Sequence, residues 1–271
     1  MSAKVKYFVF DVESVADGDL VSQVRYPGES LDSQAAVARY RKELMEERNS
    51  DFIPYTFQLP VSVVIAKVTA DFEIDDIVLL DEPEYRPHVI AQHFWRGWER
   101  YGEPTFVSFN GRTFDIPLME LAAYRFGIGI EDWFADQARS FEQPRNRYNT
   151  RAHLDLQDVL CNFGATRFSG GLNLAAQLLG KPGKMDVQGS MVQDMYDRGE
   201  LDQINDYCRC DVLDTYFVFL RCCVMNGRVT LEREQELISS TKAWLIERRD
   251  LSPAYRQYLE QWGDWRNPWD A

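Results

Sequence analysis

The segment Val5-Lys6-Tyr7-Phe8-Val9-Phe10 runs straight into Asp11-Val12-Glu13. Nearly every position from 5 to 12 is apolar, and β-branched and aromatic types dominate, which predicts a strand buried on both faces. That strand closes on two carboxylates. Residues two apart on a strand project to the same side, so Asp11 and Glu13 point together. Like charges that close are mutually costly unless a cation sits between them. Hard oxygen ligands at such a distance suit magnesium or manganese. Asp71-Phe72-Glu73 has the same spelling at an evident hairpin turn. Asp-x-Glu alone therefore does not separate a metal site from turn-forming acids.

The remaining pattern places this strand in an α/β fold. Residues 61–68 and 74–80 read as a hairpin turning at Ala70-Asp71, and 105–109 as a further strand. Helices are expected at 33–49, 86–101, 116–126, 153–163, 172–179, 189–198, 201–226 and 230–248, the second carrying the stripe Phe94, Trp95, Trp98. The prediction is a mixed β-sheet flanked by helices, with a helical C-terminal half. Residues from about 17 to 55 read as a helical insertion, and the aromatic stretch from Tyr255 to Trp269 has no assignable pattern. A length of 271 residues with 45% hydrophobic content can bury a full core, as one large domain or one with an extension. No run approaches the roughly 20 apolar residues of a membrane helix, and no signal peptide is expected from the N-terminal residues. Cys208, Cys210, Cys222 and Cys223 cluster within an odd total of five, and no nearby histidine completes a zinc set. A reduced, cytoplasmic protein without zinc is expected.

Two further motifs carry acids. Asn110-Gly111-Arg112-Thr113-Phe114-Asp115 follows a strand and precedes a helix with Pro117 in its first turn. Asp115 suits an N-cap there, but capping explains neither Phe114 nor Asn110. A carboxylate at a strand's C-terminal edge also lies where open α/β sheets place ligands. Tyr207 and Asp211 are i and i+4 in a helix and share a face, beside the apolar neighbourhood of Ile204, Cys208 and Phe219. Tyr7 and Asp11 have the same spacing on a strand, where they share no helical face. Asp155 either lies near the site or opens the next helix, and His88 and His93 read as structural. Residues 139–151 hold Arg139, Arg145, Arg147 and Arg151 against Glu142. The stretch is either a solvated loop or a guide for single-stranded substrate.

Together, Asp11, Glu13, Asp115 and Asp211 with Tyr207 resemble the signature of the DEDD exonucleases, tyrosine subclass. The wording FNGRTFDIPLM and YCRCDVLDTY is similar to the proofreading exonuclease of family B DNA polymerases. The resemblance spans roughly residues 5–226. It implies a ribonuclease H-like exonuclease domain over 1–228 and a C-terminal helical extension over 229–271. No polymerase region follows the third motif, so a stand-alone member is expected. By resemblance, two Mg²⁺ or Mn²⁺ ions would be held: Asp11 bridging, Glu13 and Asp211 on the nucleophile side, Asp115 on the other. Tyr207 would position the attacking water, and Asn110 and Phe114 would contact the terminal nucleotide. Lys184 would steady phosphate charge, or is an ordinary loop lysine. The implied partner is nucleic acid with a free 3′ end, DNA favoured over RNA, although a net charge of −13 gives no global basic footprint. An RNA-trimming enzyme and a non-catalytic nucleic-acid-binding module of the same fold are the alternatives.

Overall fold

The computed structural model describes residues 4–183 and 189–270. The chain opens with β1 (Val5–Ala16), α1 (Gly18–Arg25) and α2 (Ser33–Arg48), then returns through β2 (Gln58–Thr69) and β3 (Ile74–Leu79). It continues with α3 (Pro87–Arg100), β4 (Thr105–Ser108), α4 (Asp115–Phe126), α5 (Glu131–Phe134), β5 (His153–Asp155) and α6 (Leu156–Leu160). The rest is helical: α7 (Gly171–Gln177), α8 (Val192–Asp197), α9 (Leu201–Met225), α10 (Leu231–Arg248) and α11 (Pro253–Glu260). The strands form one sheet in the order β3-β2-β1-β4-β5. The β1–β2 and β2–β3 pairs are antiparallel, and β1–β4 and β4–β5 are parallel. This is an α/β, ribonuclease H-like arrangement with β1 at its centre.

The apolar run of β1 is covered on both faces, as its composition requires. Phe8, Phe10 and Val12 join a core with Phe94, Trp95 and Trp98 of α3 and Leu118 and Met119 of α4. Phe10 and Phe94 meet edge to face at 5.2 Å, and Phe94 stacks on Phe106 at 4.9 Å. Tyr7 and Val9 point the other way, into the apolar face of α9; the Tyr7 and Phe219 rings lie 5.0 Å apart. Asp11 and Glu13 continue this second line, so α9 lies over them as well.

The structure corrects three expectations. β1 does not close at Glu13: it continues to Ala16, because Ser14, Val15 and Ala16 pair with β2 as far as Gln58. Residues 153–163 are not one helix, since His153–Asp155 pairs in parallel with β4 before α6 begins. The tail after Tyr255 starts as α11 and is then stapled by cations: Lys181 lies 4.0 Å from the Trp262 ring and Arg221 4.2 Å from that of Trp265. Arg221 also pairs with buried Glu234 at 2.7 Å, which joins α9 to α10.

Between β1 and β2, helices α1 and α2 bury Val21, Tyr26, Val37, Tyr40 and Leu44 together with Ile53. Asp17 and Asp32 cap them, accepting from the Leu20 and Ala35 amides. Arg41 ties this unit to the rest, bonding Asp51 at 2.6 Å and Asp194 in the first turn of α8 at 2.7 Å. Among the described residues no helix is long and apolar enough to cross a membrane.

Candidate active site

Parallel pairing between β1 and β4 stops at Val9 opposite Val107, while β1 runs on beside β2 alone. Beyond that point the chain of β4 turns away, and the strip of β1 that carries Asp11 and Glu13 borders a cleft. A register shift between Glu13 and Ser14 marks the same place, as bulges beside sites do. The cleft has a volume of about 1070 Å³ and is lined by Asp11, Glu13, Asp115, Tyr207 and Asp211 together with Asn110 and Phe114. The structure thus brings together all four acids and the tyrosine from three separate stretches of chain. Lys184 lies outside the described residues.

Each acid reaches the cleft for a local reason. Asp115 is not an N-cap: Phe114 holds that position, and Asp115 is the first residue of α4, buried at the helix's positive end. The turn before it is shaped by Asp155, whose carboxylate accepts from the Asn110 and Arg112 amides at 2.9 Å each and from Gln157 N at 3.0 Å. Asp155 therefore both opens α6 and braces the site. Asn110, at φ 66°, uses its side-chain oxygen to accept from Gln157 Nε2 at 2.9 Å and Thr113 Oγ1 at 2.7 Å. At Gly111 there is no room for more: a Cβ would fall 2.7 Å from Asp115 Oδ2 and overlap the Ser108 side chain. From the opposite wall, Asp211 and Tyr207 come off one face of α9 and are hydrogen-bonded to each other. Cys208 Sγ sits 3.5 Å from the Asp11 carbonyl oxygen, packing the helix onto the strand.

The electrostatics of these groups are those of a site that wants positive charge. Burial pushes Asp11 up to about 6, even though Cys208 and Glu13 donate to it. Burial pushes Glu13 well above the carboxylate range, with Asp11, Asp211 and Asp115 adding repulsion. Asp115 is raised in the same way, by burial and then by Asp11 and Asp155. Tyr207 is also raised, by burial and by Asp211, Glu13 and Asp11, so it stays a neutral phenol. Cys208 has its sulfur near the Asp11 and Glu13 oxygens, but burial and those two charges hold its thiol well above its ordinary value. Carboxylate oxygens predominate among the donors lining the cleft, a set that suits a hard divalent cation.

A consequence for stability follows from these shifts. A carboxyl whose folded value lies above its unfolded value of about 4 contributes stability that is complete below that value and lost as pH rises through the folded one. For Asp11 the loss runs from about pH 4 to about pH 6, and Glu13 and Asp115, raised further, extend it upward. In EDTA the melting temperature is expected to fall by about 5 °C or more between pH 5 and pH 8. Millimolar Mg²⁺ or Mn²⁺ at pH 8 is expected to restore it, as binding to the folded state alone must. Thermal melts across that range check this, and a flat metal-free profile would contradict it.

Other sequence candidates fall elsewhere. Asp71 and Glu73 are exposed at the β2–β3 turn, where Glu73 pairs with Arg233 at 2.9 Å. His153 is buried against Ser108 Oγ at 2.7 Å, and burial and Arg112 hold it neutral. The basic stretch 139–151 contributes no residue to the cleft wall. It enters β5 level with Thr105 and Phe106, at the far end from the acids. Asp155, which the sequence leaves either near the site or at a helix start, is both; one contributor was not singled out from sequence, Phe52, whose ring meets that of Phe114 with centroids 5.7 Å apart. Nothing local marks Phe52, because its position depends on how α2 folds back over β1.

Four carboxylates, Glu13 and Asp115 buried and Asp11 and Asp211 half-buried, line one cleft of a ribonuclease H-like sheet. The chain belongs to the family of predicted 3′-5′ exonucleases related to the exonuclease domain of PolB, which matches residues 50–262. Asp11 and Glu13 lie before that match. The chain is also 23% identical over 159 residues to a DNA polymerase of Archaeoglobus fulgidus, a match that covers 59% of this chain and 20% of that polymerase.

Proposed function

We propose that this protein removes nucleotides one at a time from the 3′ end of single-stranded DNA, using two Mg²⁺ or Mn²⁺ ions held by Asp11, Glu13, Asp115 and Asp211. The observation that carries the reading is the convergence of these four acids on one cleft, where burial raises Asp11, Glu13 and Asp115 and neighbouring carboxylates add repulsion to Glu13 and Asp115. Divalent ions bound there supply charge relief on the phosphate and a nucleophile at neutral pH.

The protein's own groups do the positioning. Asp11 and Glu13 present their oxygens from a rigid central strand, and Asp211 and Asp115 approach from α9 and α4. Tyr207, a neutral phenol hydrogen-bonded to Asp211, orients the attacking water and does not deprotonate it. Asn110, its side-chain oxygen already engaged, offers its amide NH₂ to the terminal nucleotide. Phe114 gives that nucleotide's base a stacking surface beside Asp115. Similarity to a DNA polymerase supports DNA over RNA.

A 5′-labelled single strand incubated with Mg²⁺ is expected to give a ladder shortened stepwise from its 3′ end. The DNA strand is expected to disappear about tenfold faster than RNA of the same sequence. Release of the 5′ label as a mononucleotide would overturn the polarity, and degradation of RNA alone would overturn the substrate.

A further inference from the structure

Phe52 is an aromatic side chain held in the open. It is 53% exposed, it lines the same cleft as the four acids, and it stands on a segment braced from every side. Arg48 Nη2 donates to the Phe52 carbonyl at 3.0 Å, and Asp51 next to it is clamped by Arg41. Its other neighbour, Ile53, is buried in the core of the α1–α2 unit. Gln58 Nε2 donates to the Ile53 carbonyl at 2.5 Å, and the same Gln58 accepts from Ser14, the residue after Glu13. The bracing therefore runs from the acid-bearing strand to the ring. With Ile53 drawn inward, its neighbour Phe52 is left on the cleft side.

The ring planes of Phe52 and Phe114 are tilted by 52° with centroids 5.7 Å apart. Rings so tilted cannot sandwich one base between parallel faces; they offer two separate faces in succession. Phe114 adjoins Asp115, whereas Phe52 comes from the segment between α2 and β2, so the two rings meet at a tilt along the cleft lining from different stretches of chain. We infer that Phe52 is a specificity-determining residue that stacks on the base next to the 3′-terminal one, so that the α1–α2 unit selects unpaired strands. This rests on the exonuclease reading above. A base paired in a duplex has its faces covered by its neighbours and cannot stack on Phe52 without unstacking, so the requirement disfavours duplex ends.

The test is a cycle between protein and substrate. Strands that end in an ordinary penultimate nucleotide are compared with strands carrying an abasic residue there. Loss of one stacked base is expected to raise the wild-type KM about tenfold or more. For Phe52→Ala the intact strand already shows the raised KM, and removing the base costs less than about twofold further. Phe52→Trp keeps a stacking face and is expected to recover the wild-type penalty, which a purely structural role for Phe52 would not produce. A 2-aminopurine at the penultimate position should be quenched on binding to wild type and less so on Phe52→Ala. An abasic penalty equal in wild type and Phe52→Ala, or absent in wild type, would overturn the inference while leaving the exonuclease reading intact. Failure of the wild type to shorten any strand would overturn both.

Discussion

Asp211→Ala is expected to lower exonuclease activity by on the order of a thousandfold or more while raising the thermal stability of the metal-free protein at pH 8. The two effects have opposite signs for one reason. Asp211 adds repulsion to Glu13 and Asp115, both already penalised by burial, and that repulsion is useful only when cations neutralise it. Removing it relieves the metal-free fold, because Glu13 and Asp115 then ionise against less negative charge. On the proposed reading it also removes a ligand oxygen, and it removes the hydrogen-bond partner of Tyr207, so both cation affinity and water positioning are expected to suffer. Melting curves should show the variant at or above wild type in EDTA, with the Mg²⁺-induced rise much reduced. Activity lost together with a lower metal-free melting temperature would point instead to a residue that only holds the fold.

Gly111→Ala is the second large effect, and it acts without touching a charge. The added methyl would fall 2.7 Å from Asp115 Oδ2 and overlap the Ser108 side chain. Ser108 cannot easily give way, because its hydroxyl is 2.7 Å from buried His153 Nε2. The backbone of the turn is pinned as well, by the amides of Asn110 and Arg112 on Asp155. Asp115 is the group left to move. A displacement of about 1 Å at a catalytic ligand costs roughly a hundredfold in rate, against about 1–3 kcal/mol of stability for overpacking. Comparison of kcat with the melting temperature checks the split. Wild-type kcat in Gly111→Ala would show that the turn has room the structure does not display.

What the sequence revealed and what it hid divide along the range of the interactions. The apolar run of β1, the aromatic stripe of α3 and the Tyr207/Asp211 face of α9 are set by neighbours within a turn or a strand, and each was readable. β5 was not, because three residues carry no periodicity and Asp155 looks like a helix start, which it also is. The extension of β1 to Ala16 depends on pairing with Gln58–Pro60, and a polar Glu-Ser ending disguises it. Asp155's bonds to Asn110 and Arg112 span 45 and 43 residues, and the Arg41–Asp194 link that anchors the wall bearing Phe52 spans 153. Separations of that size leave no local trace. The four acids were legible only as a set, since each motif alone has a decoy or an ordinary structural explanation.

The central claim is that the four carboxylates together hold divalent cations for phosphodiester cleavage. Anomalous diffraction at the manganese edge, from crystals soaked in Mn²⁺, tests it most directly. Two peaks about 3.5–4 Å apart, ligated by Asp11, Glu13, Asp115 and Asp211, are the expected result. A cleft without manganese, or ions bound away from these four side chains, would contradict it.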